Sequence, residues 1–503
     1  MPSQSNELMT NRSASENHNR WPSWLDTYDH VGSHYPYYKP DEPGEFFLNI
    51  GDAIETIPQE ERELDPVGVL EVLFRRWPLG DRTLVSNLRR SPWMAEPTDN
   101  GWKYHDVPEH GDRRLPTKQV ASQLVSELER EARSYIESHN SVGLLLSGGL
   151  DSRIVAGITR ILELDDDIDD VTAFTWGIER CRDVYYAREI AEKFDWEFHH
   201  FPLDSGALKR NIRRAGELGA EFSPLHLHAL PDIRDNADVD VILAGSYGNS
   251  IGRAEYSGHH VTDLYKTVPF HLNKFGALRN EIVSTHRQTV QGDAYEYRTR
   301  IDRSETYQYR EIEQQLHYMR RLLQPCMTHV AERIPLYQLF TAPEVVELMW
   351  SLDPEERGKS HCTAVLENLP GDLEQIPNAK SGIPPAGSEP VDDGLAKEHH
   401  RYGRWLRNDL KDDIIQHIRS GPLYRVLNRS TIERLFRIWP RANTQSSNAI
   451  DELLSWLASL SVFVQTYNIS VKPVKTDLMD LANQFVGPSS AQAYQIAREL
   501  VRE

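Results

Sequence analysis

At 503 residues the chain is long enough to bury a large core, and we expect two or three domains. Its 76 Asp and Glu against 56 Lys and Arg give a formal net charge of -20, which would repel nucleic-acid phosphates and anionic membranes, so we expect neither as a partner. The acidic excess and the scarcity of lysine also suggest a halophilic source, with an ordinary acidic enzyme as the alternative.

The cysteines and the apolar runs bear on the cellular compartment. Cys181, Cys326 and Cys362 are widely spaced and odd in number, so they predict neither a disulfide framework nor a zinc site. The N-terminus has no apolar signal core, and no run approaches the roughly 18 apolar residues of a membrane span. We therefore expect a cytoplasmic protein.

The N-terminal quarter precedes the main domain. Residues 1–45 are polar, with scattered aromatic residues and prolines, and predict an irregular arm. Short strand-like and helix-like pieces alternate over residues 46–115. Residues 116–139 carry apolar side chains at helical spacing and predict one amphipathic helix.

Four short strand-like segments, of which the first two are apolar runs, then alternate with helical segments. This pattern is typical of parallel strands buried on both faces and predicts an α/β fold with a doubly wound parallel sheet. From about residue 260 the sequence is mostly helical, so residues 116–480 form the main predicted domain and residues 481–503 a last helix. The predicted strands are 142–146, 171–176, 197–201 and 239–244.

The strongest functional signal is the string Ser147-Gly148-Gly149-Leu150-Asp151-Ser152, where the first strand turns into its helix. The two glycines allow unusual backbone angles and close approach to a ligand, and the N–H groups at the start of the helix attract an anion. The serine hydroxyls can donate hydrogen bonds. Asp151 would repel a bare phosphate, so its expected role is to bind Mg2+ that bridges phosphates. The alternative is a plain Gly-Gly turn.

This string resembles the phosphate loop of the ATP-pyrophosphatase families, whose fold is adenine nucleotide alpha hydrolase-like. The competing Gly-x4-Gly-Lys-Ser/Thr loop is absent, since Asp353 stands where Gly358-Lys359-Ser360 would need the first glycine. Further segments, in order, resemble the synthetase domain of the asparagine synthases. These segments are the helix that contains Asp183, then 333–337, 344–354, 376–382 and 405–407.

The resemblance to asparagine synthases implies an ATP-dependent amide ligase. A carboxylate, aspartate in the family, attacks the α-phosphorus and releases pyrophosphate, and ammonia then expels AMP. The resemblance assigns Leu146, Trp176 and Gly245 to the nucleoside, and Asp183 to Mg2+ beside Asp151. Lys380 matches the family's catalytic lysine and would neutralise developing negative charge; the alternative for Lys380 is an ordinary surface lysine.

Two departures separate the chain from that family. The acidic turn after the fourth strand has become neutral at Ser246, Asn249 and Ser250, and neutral side chains bind Mg2+ more weakly. No cysteine follows the initiator methionine, so we expect no thiol-based glutaminase activity. Residues 46–115 would then be a remnant of a glutaminase-type domain. The amine donor would be free ammonia, another amine, or the product of a separate glutaminase subunit.

Two further hypotheses of function stay open. One is an amide- or lactam-forming ligase on a specialised metabolite or sugar acid, and the other is a nucleotide-binding protein without catalysis.

Four pairs of histidines are each interpreted as surface or satisfied core residues, because none has a third ligand at metal spacing. They are His199-His200, His226 with His228, His259-His260 and His399-His400.

Overall fold

The computed structural model describes residues 35–42, 44–98, 101–137, 139–254, 272–441, 445 and 447–502. Most of the predicted arm, residues 1–34, lies outside these ranges, as do His259 and His260.

Small elements occupy residues 35–115. Strand β1 pairs in antiparallel fashion with β2 and with β3, and β4 pairs with β5. Helix α2 begins at Pro66 because the Asp65 side chain accepts hydrogen bonds from the N–H groups of its first turn, and proline is favoured at the first helical position. The elements are β1 (Tyr37–Tyr38), β2 (Phe46–Phe47), α1 (Ile50–Glu55), α2 (Pro66–Arg75), β3 (Arg89–Arg90), β4 (Ala95–Thr98) and β5 (Gly101–Tyr104).

Strands and helices alternate through the next 130 residues, as the sequence predicts. Each of the four predicted strands is present within two residues of its predicted ends. The elements are α3 (Thr117–Ile136), β6 (Ser141–Leu145), α4 (Leu150–Leu164), β7 (Asp170–Gly177), α5 (Arg182–Phe194), β8 (Glu197–Pro202), α6 (Ser205–Glu217), α7 (Leu230–Asn236) and β9 (Val241–Ala244).

The rest of the described chain is mostly helical. Two helical stretches, Gln314–Leu323 and Trp405–Asp409, are π-helical. The elements are α8 (Asn280–Tyr295), α9 (Thr306–Glu313), α10 (Gln324–Ala331), β10 (Leu336–Gln338), α11 (Pro343–Trp350), α12 (Lys359–Glu367), α13 (Tyr402–Arg404), α14 (Lys411–Ser420), α15 (Arg429–Ile438), α16 (Ala449–Thr466) and α17 (Leu478–Arg502).

The described part of the chain contains one five-stranded sheet in the order β10-β9-β6-β7-β8, and every neighbouring pair of its strands is parallel. The predicted doubly wound parallel sheet is therefore confirmed. The edge strand β10 is a fifth strand that the sequence did not predict, because three residues are too few to form a recognisable apolar run. Parallel strands bring their carboxyl ends to one edge, where open sheets of this kind bind ligands.

Alternate residues of the strands pack into two apolar cores, one on each face of the sheet. Val142 and Leu144 face one core, whereas Leu145 and Phe174 face the other. The second of these cores also contains buried residues of α2 and α16. The described part of residues 46–115 is thus packed continuously with the sheet and with the C-terminal helices.

A buried cluster of charges also fastens the N-terminal elements to the main domain. The Glu221 carboxylate is completely buried and pairs with Arg90 of β3 at 3.1 Å and with Arg321 at 3.3 Å. A buried carboxylate is stable only when such partners compensate for its lost hydration. Among the described residues, no helix combines the length and the apolar run that crossing a bilayer requires.

Candidate active site

The Ser147–Ser152 loop lies between β6, which is flanked on both sides in the sheet, and the N-terminus of α4. Leu146 is buried and its N–H donates to the carbonyl of Phe174 on β7, so the end of the strand is fixed. No described side chain caps α4, which begins at Leu150 after Gly149. Its first-turn N–H groups are therefore available to an anion, as the sequence predicts for a phosphate loop.

The loop is held in shape by its own serines. The hydroxyls of Ser147 and Ser152 lie 2.9 Å apart, and the Ser147 hydroxyl accepts a hydrogen bond from the Gly149 N–H at 3.1 Å. The Ser152 hydroxyl accepts from the Ser147 N–H at 3.2 Å. Both serines thus shape the loop, and whether they also donate to a ligand stays a prediction.

Space, rather than unusual backbone angles, explains the glycine at 148. Neither Gly148 nor Gly149 has a positive φ. A Cβ on Gly148 would lie 2.7 Å from the Cβ of Ala379 and 3.2 Å from the carbonyl oxygen of Arg182. Only a residue without a side chain allows these neighbours to pack directly on the loop.

Arg153 joins the loop to the segment that carries Lys380. This completely buried guanidinium donates hydrogen bonds to the carbonyls of Leu373, Ile376, Gly148 and Pro377 at 2.5 to 3.2 Å. Burial lowers the pKa of Arg153 to about 10, so the side chain stays charged at neutral pH.

Lys380 itself is an exposed side chain beside the loop. The preceding residue, Ala379, donates its N–H to the carbonyl of Gly148 at 2.9 Å. The side chain of Asn378 caps the turn by accepting from the Lys380 N–H at 3.0 Å. The structure therefore places Lys380 on the segment that contacts the Ser147–Ser152 loop, and its catalytic role stays a prediction.

Asp151 lies in the first turn of α4 and is covered by the turn that follows β9. A Cβ on Gly245 would lie 2.8 Å from the backbone of Asp151, and a Cβ on Gly248 would lie 2.7 Å from its side chain. The same turn brings Arg253 to Asp151, with Nη2 donating to Oδ2 at 2.9 Å. The predicted metal ligand is thus ion-paired with a cation of the chain.

Asp183, the other predicted metal ligand, lies on the other side of the loop in the first turn of α5. Its carboxylate accepts a hydrogen bond from the Gly148 N–H, and Nδ1 of His399 lies 3.7 Å from its Oδ2. Burial raises the pKa of the Asp183 carboxyl, although His399 and the Gly148 N–H act in the opposite direction.

Next to Asp183 is a cluster of imidazole and aromatic rings at the end of β7, whose histidines were predicted to be surface or satisfied core residues. Trp176 stacks on His228, whose Nδ1 lies 2.8 Å from the hydroxyl of Tyr402. His400 stacks on Tyr402 with ring centroids 4.0 Å apart, and its other neighbour is His399 at 4.6 Å.

These rings form a largely neutral wall. Burial lowers the pKa of His228 well below its ordinary value, and it lowers the pKa of His400 to about 3. Both imidazoles are therefore uncharged near neutral pH. Trp176, which the family resemblance assigns to the nucleoside, packs in this wall; whether it contacts the nucleoside stays a prediction.

The side chains around the Ser147–Ser152 loop fit a Mg2+ site only in part. Among the described residues, no group of three or more His, Cys, Asp or Glu side chains is placed to hold a metal ion. Mg2+ commonly binds through one or two carboxylates together with substrate phosphates and water. Asp151 can supply one such carboxylate, so the residues fit an ion that arrives with ATP better than an ion held by the protein alone.

Arg153 and Arg253 contact the Ser147–Ser152 loop but were not predicted as site residues. The sequence carries no signal for either residue, because the partners of Arg153 are mostly 220 to 224 positions away and Arg253 pairs across 102 positions. The pair His399-His400 was noticed, but spacing along the chain could not reveal that His228 and Asp183 lie beside it.

Residues 123–363 match the family model of asparagine synthase, and this range covers the Ser147–Ser152 loop and all five strands of the sheet and ends within α12. No curated protein matches the chain.

Two solved structures resemble it weakly. The U34-tRNA thiolase NcsA from Methanococcus maripaludis, with its 4Fe-4S cluster, has 12% sequence identity and a TM-score of 0.21, over 41% of this chain and 86% of that chain. NMN synthetase from Francisella tularensis has 14% identity and a TM-score of 0.20, over 40% of this chain and 94% of that chain. Similarities of this size carry no inference about substrate or activity.

Proposed function

We propose, from the match of residues 123–363 to the asparagine synthase family model, that the chain is an ATP-dependent amide ligase releasing AMP and pyrophosphate. It activates the carboxylate of a small acid at the α-phosphorus of ATP and transfers the acyl group to ammonia or another amine. The observation that carries the proposal is the Ser147–Ser152 loop, which lies before the uncapped N-terminus of α4 at the carboxyl edge of the sheet.

The chain's own groups suit the first step. The N–H groups of the first turn of α4 bind the phosphates and the positive end of the helix attracts their charge. Lys380, on the segment docked to Gly148, neutralises charge that develops on the leaving pyrophosphate. Where Mg2+ accompanies ATP, it would supply positive charge against the phosphates, and Asp151 is the carboxylate that could hold it.

The acid binds beyond the α-phosphate, at the end of β7. The wall of Trp176, His228, His400 and Tyr402 starts next to Asp183, which is hydrogen-bonded to the loop. Neutral imidazoles and aromatic rings suit an acid with an apolar or planar body. This wall, together with the neutral Ser246, Asn249 and Ser250, favours a second candidate: an amide- or lactam-forming ligase whose acid is a specialised metabolite or sugar acid rather than aspartate.

The amine donor is free ammonia, another small amine, or ammonia from a separate glutaminase subunit. The only cysteines of the chain, Cys181, Cys326 and Cys362, are all buried. Burial raises the pKa of each thiol, so none is set up as the nucleophile of a glutaminase.

A screen of pyrophosphate release tests the proposal. The purified chain is incubated with ATP, Mg2+, an amine and one carboxylic acid at a time, at low and at high salt because of its acidic surface. Lys380→Met should lower the rate of pyrophosphate release about 100-fold or more, since one preorganised charge contributes roughly that much. Lys118→Met, an exposed lysine in the first turn of α3, is the matched control and should keep the wild-type rate.

The outcomes separate the candidates. Release that requires aspartate and ammonia supports an asparagine-forming ligase, and release that requires another acid supports the second candidate. ATP binding without turnover under every condition would instead indicate a nucleotide-binding protein without catalysis and would refute both.

A further inference from the structure

The contact between Arg253 and Asp151 is the feature of this site that the family assignment does not account for. The Arg253 Nη2 lies 2.9 Å from Oδ2 of Asp151, and the two side chains are only 24% and 18% exposed. Asp151 is the carboxylate that an incoming cation would bind, and it is already paired with the guanidinium of Arg253.

The turn that carries Arg253 is fixed against the phosphate loop. Gly245 and Gly248 pack directly on Asp151, where a Cβ would come within 2.8 Å of Asp151 atoms. Hydrogen bonds within the turn hold its shape, from the N–H groups of Gly248 and Ile251 at 3.1 and 3.0 Å. The packing and the hydrogen bonds of this turn therefore hold the backbone of Arg253 beside the Ser147–Ser152 loop.

The same turn has lost the acidic side chains with which a metal would be held. Ser246, Asn249 and Ser250 are neutral, and the described residues contain no cluster of three or more metal-binding side chains. The turn carries the Arg253 guanidinium, which is always charged and presents donors in a fork that matches the oxygens of a phosphate.

We propose that Arg253 is a built-in cation of the ATP site, binding the phosphates directly and taking over charge that a protein-held divalent ion would otherwise neutralise. This inference rests on the proposed function, since it assumes that ATP binds at the Ser147–Ser152 loop. When ATP is absent, Asp151 holds the guanidinium in place. When ATP binds, the phosphate oxygens compete with Asp151 for the same donors.

Equilibrium binding of ATP, measured by calorimetry in EDTA and again in excess Mg2+, tests the inference without relying on turnover. The wild type should bind ATP in EDTA within about 10-fold of its affinity in Mg2+. Arg253→Gln should weaken binding in EDTA about 10-fold to 100-fold, as expected for the loss of a charged hydrogen-bonding partner. Arg253→Lys, which keeps the charge without the fork, should lie between the two.

Two further variants sharpen the test. Asp151→Asn releases Arg253 and removes a negative charge from the site, so ATP should bind in EDTA at least as tightly as to the wild type. Arg210→Gln is the matched control, because Arg210 of α6 also pairs with a single aspartate, Asp232 at 3.0 Å, and it should leave ATP binding unchanged.

The results that would refute the inference alone differ from those that would also refute the proposed function. If ATP binds only in Mg2+, and Arg253→Gln binds it as the wild type does while Asp151→Asn does not, the ion is held by Asp151 and the inference is wrong while the proposed function stands. If the wild type binds no ATP in either condition, the proposed function and the inference fail together.

Discussion

Arg153 offers a test of how the site is held together. Its guanidinium bonds four backbone carbonyls, of which one belongs to the phosphate loop and three to the segment leading to Lys380, at 2.5 to 3.2 Å. None of these acceptors is a carboxylate, although the Glu189 carboxylate also acts on the charge of Arg153 and raises its pKa. Arg153→Met keeps much of the side-chain volume but removes all four donors.

The magnitude follows from two opposing effects. A hydrogen bond from a charged donor contributes roughly 1.5–3 kcal/mol, which gives about 6–12 kcal/mol for four such bonds if they added fully. Burial opposes this, since the fall in the pKa of Arg153 from 12.5 to about 10 corresponds to about 3 kcal/mol. Because bonds within one network do not add fully, we expect Arg153→Met to lower the free energy of unfolding by about 3–5 kcal/mol.

Urea unfolding of the variants measures this loss, and calorimetric titration with ATP measures its effect on the site. Arg153→Lys, with three donors for four carbonyls, should lose less stability than Arg153→Met. Arg160→Met, on the same helix, removes a partly exposed pair with Glu163 and a contact 5.6 Å from the centroid of the Phe194 ring, and should cost less than about 1 kcal/mol. ATP affinity should fall with Arg153→Met and stay unchanged with Arg160→Met.

The reasoning would be refuted if Arg153→Met unfolded within about 1 kcal/mol of the wild type and bound ATP with unchanged affinity. In that case the loop and the 373–377 segment would keep their arrangement without the guanidinium, and Ala379 alone would suffice to position Lys380.

Three further predictions concern the site, the response to pH and the buried charges. Gly248→Ala places a Cβ 2.7 Å from the Asp151 side chain and should weaken ATP binding about 10-fold or more by calorimetry, whereas Gly292→Ala, which meets open space, should stabilise α8 by about 0.5–1 kcal/mol. Burial lowers the pKa of His317 to about 3, so as the pH falls below 6.5 the unfolded chain takes up a proton that the folded chain does not. This costs about 2 kcal/mol at pH 5, and His317→Gln should show a smaller loss of urea stability between pH 7 and pH 5; an unchanged loss would contradict the assignment. Glu221→Gln leaves two buried arginines without their shared carboxylate and should cost about 3–5 kcal/mol in urea unfolding, so a cost below about 1 kcal/mol would be inconsistent with the pairing.

The sequence by itself determined four of the five strands of the sheet and the turn at Ser147–Ser152, because each of these is encoded by neighbouring residues. The run at 142–146 is apolar throughout and the run at 171–176 is interrupted only by Thr172 and Thr175, because strands buried on both faces have no solvent-facing side. The string from Ser147 to Ser152 contains strand end, glycines and helix start within six positions. Local signals of this kind need no knowledge of the fold.

The tertiary structure decided which side chains meet at that loop. Arg253 pairs with Asp151 across 102 positions, and Arg153 bonds carbonyls more than 200 positions away. His228 and His399 meet at the end of β7, with ring centroids 5.2 Å apart. Such contacts form because β9, the turn that follows it and the segment after α12 all lie at one edge of the sheet. No periodicity or spacing along the chain predicts that these segments lie together. The Ser147–Ser152 turn could therefore be located from its residues, whereas the contacts with Arg253 and with the ring wall could be found only from the tertiary structure.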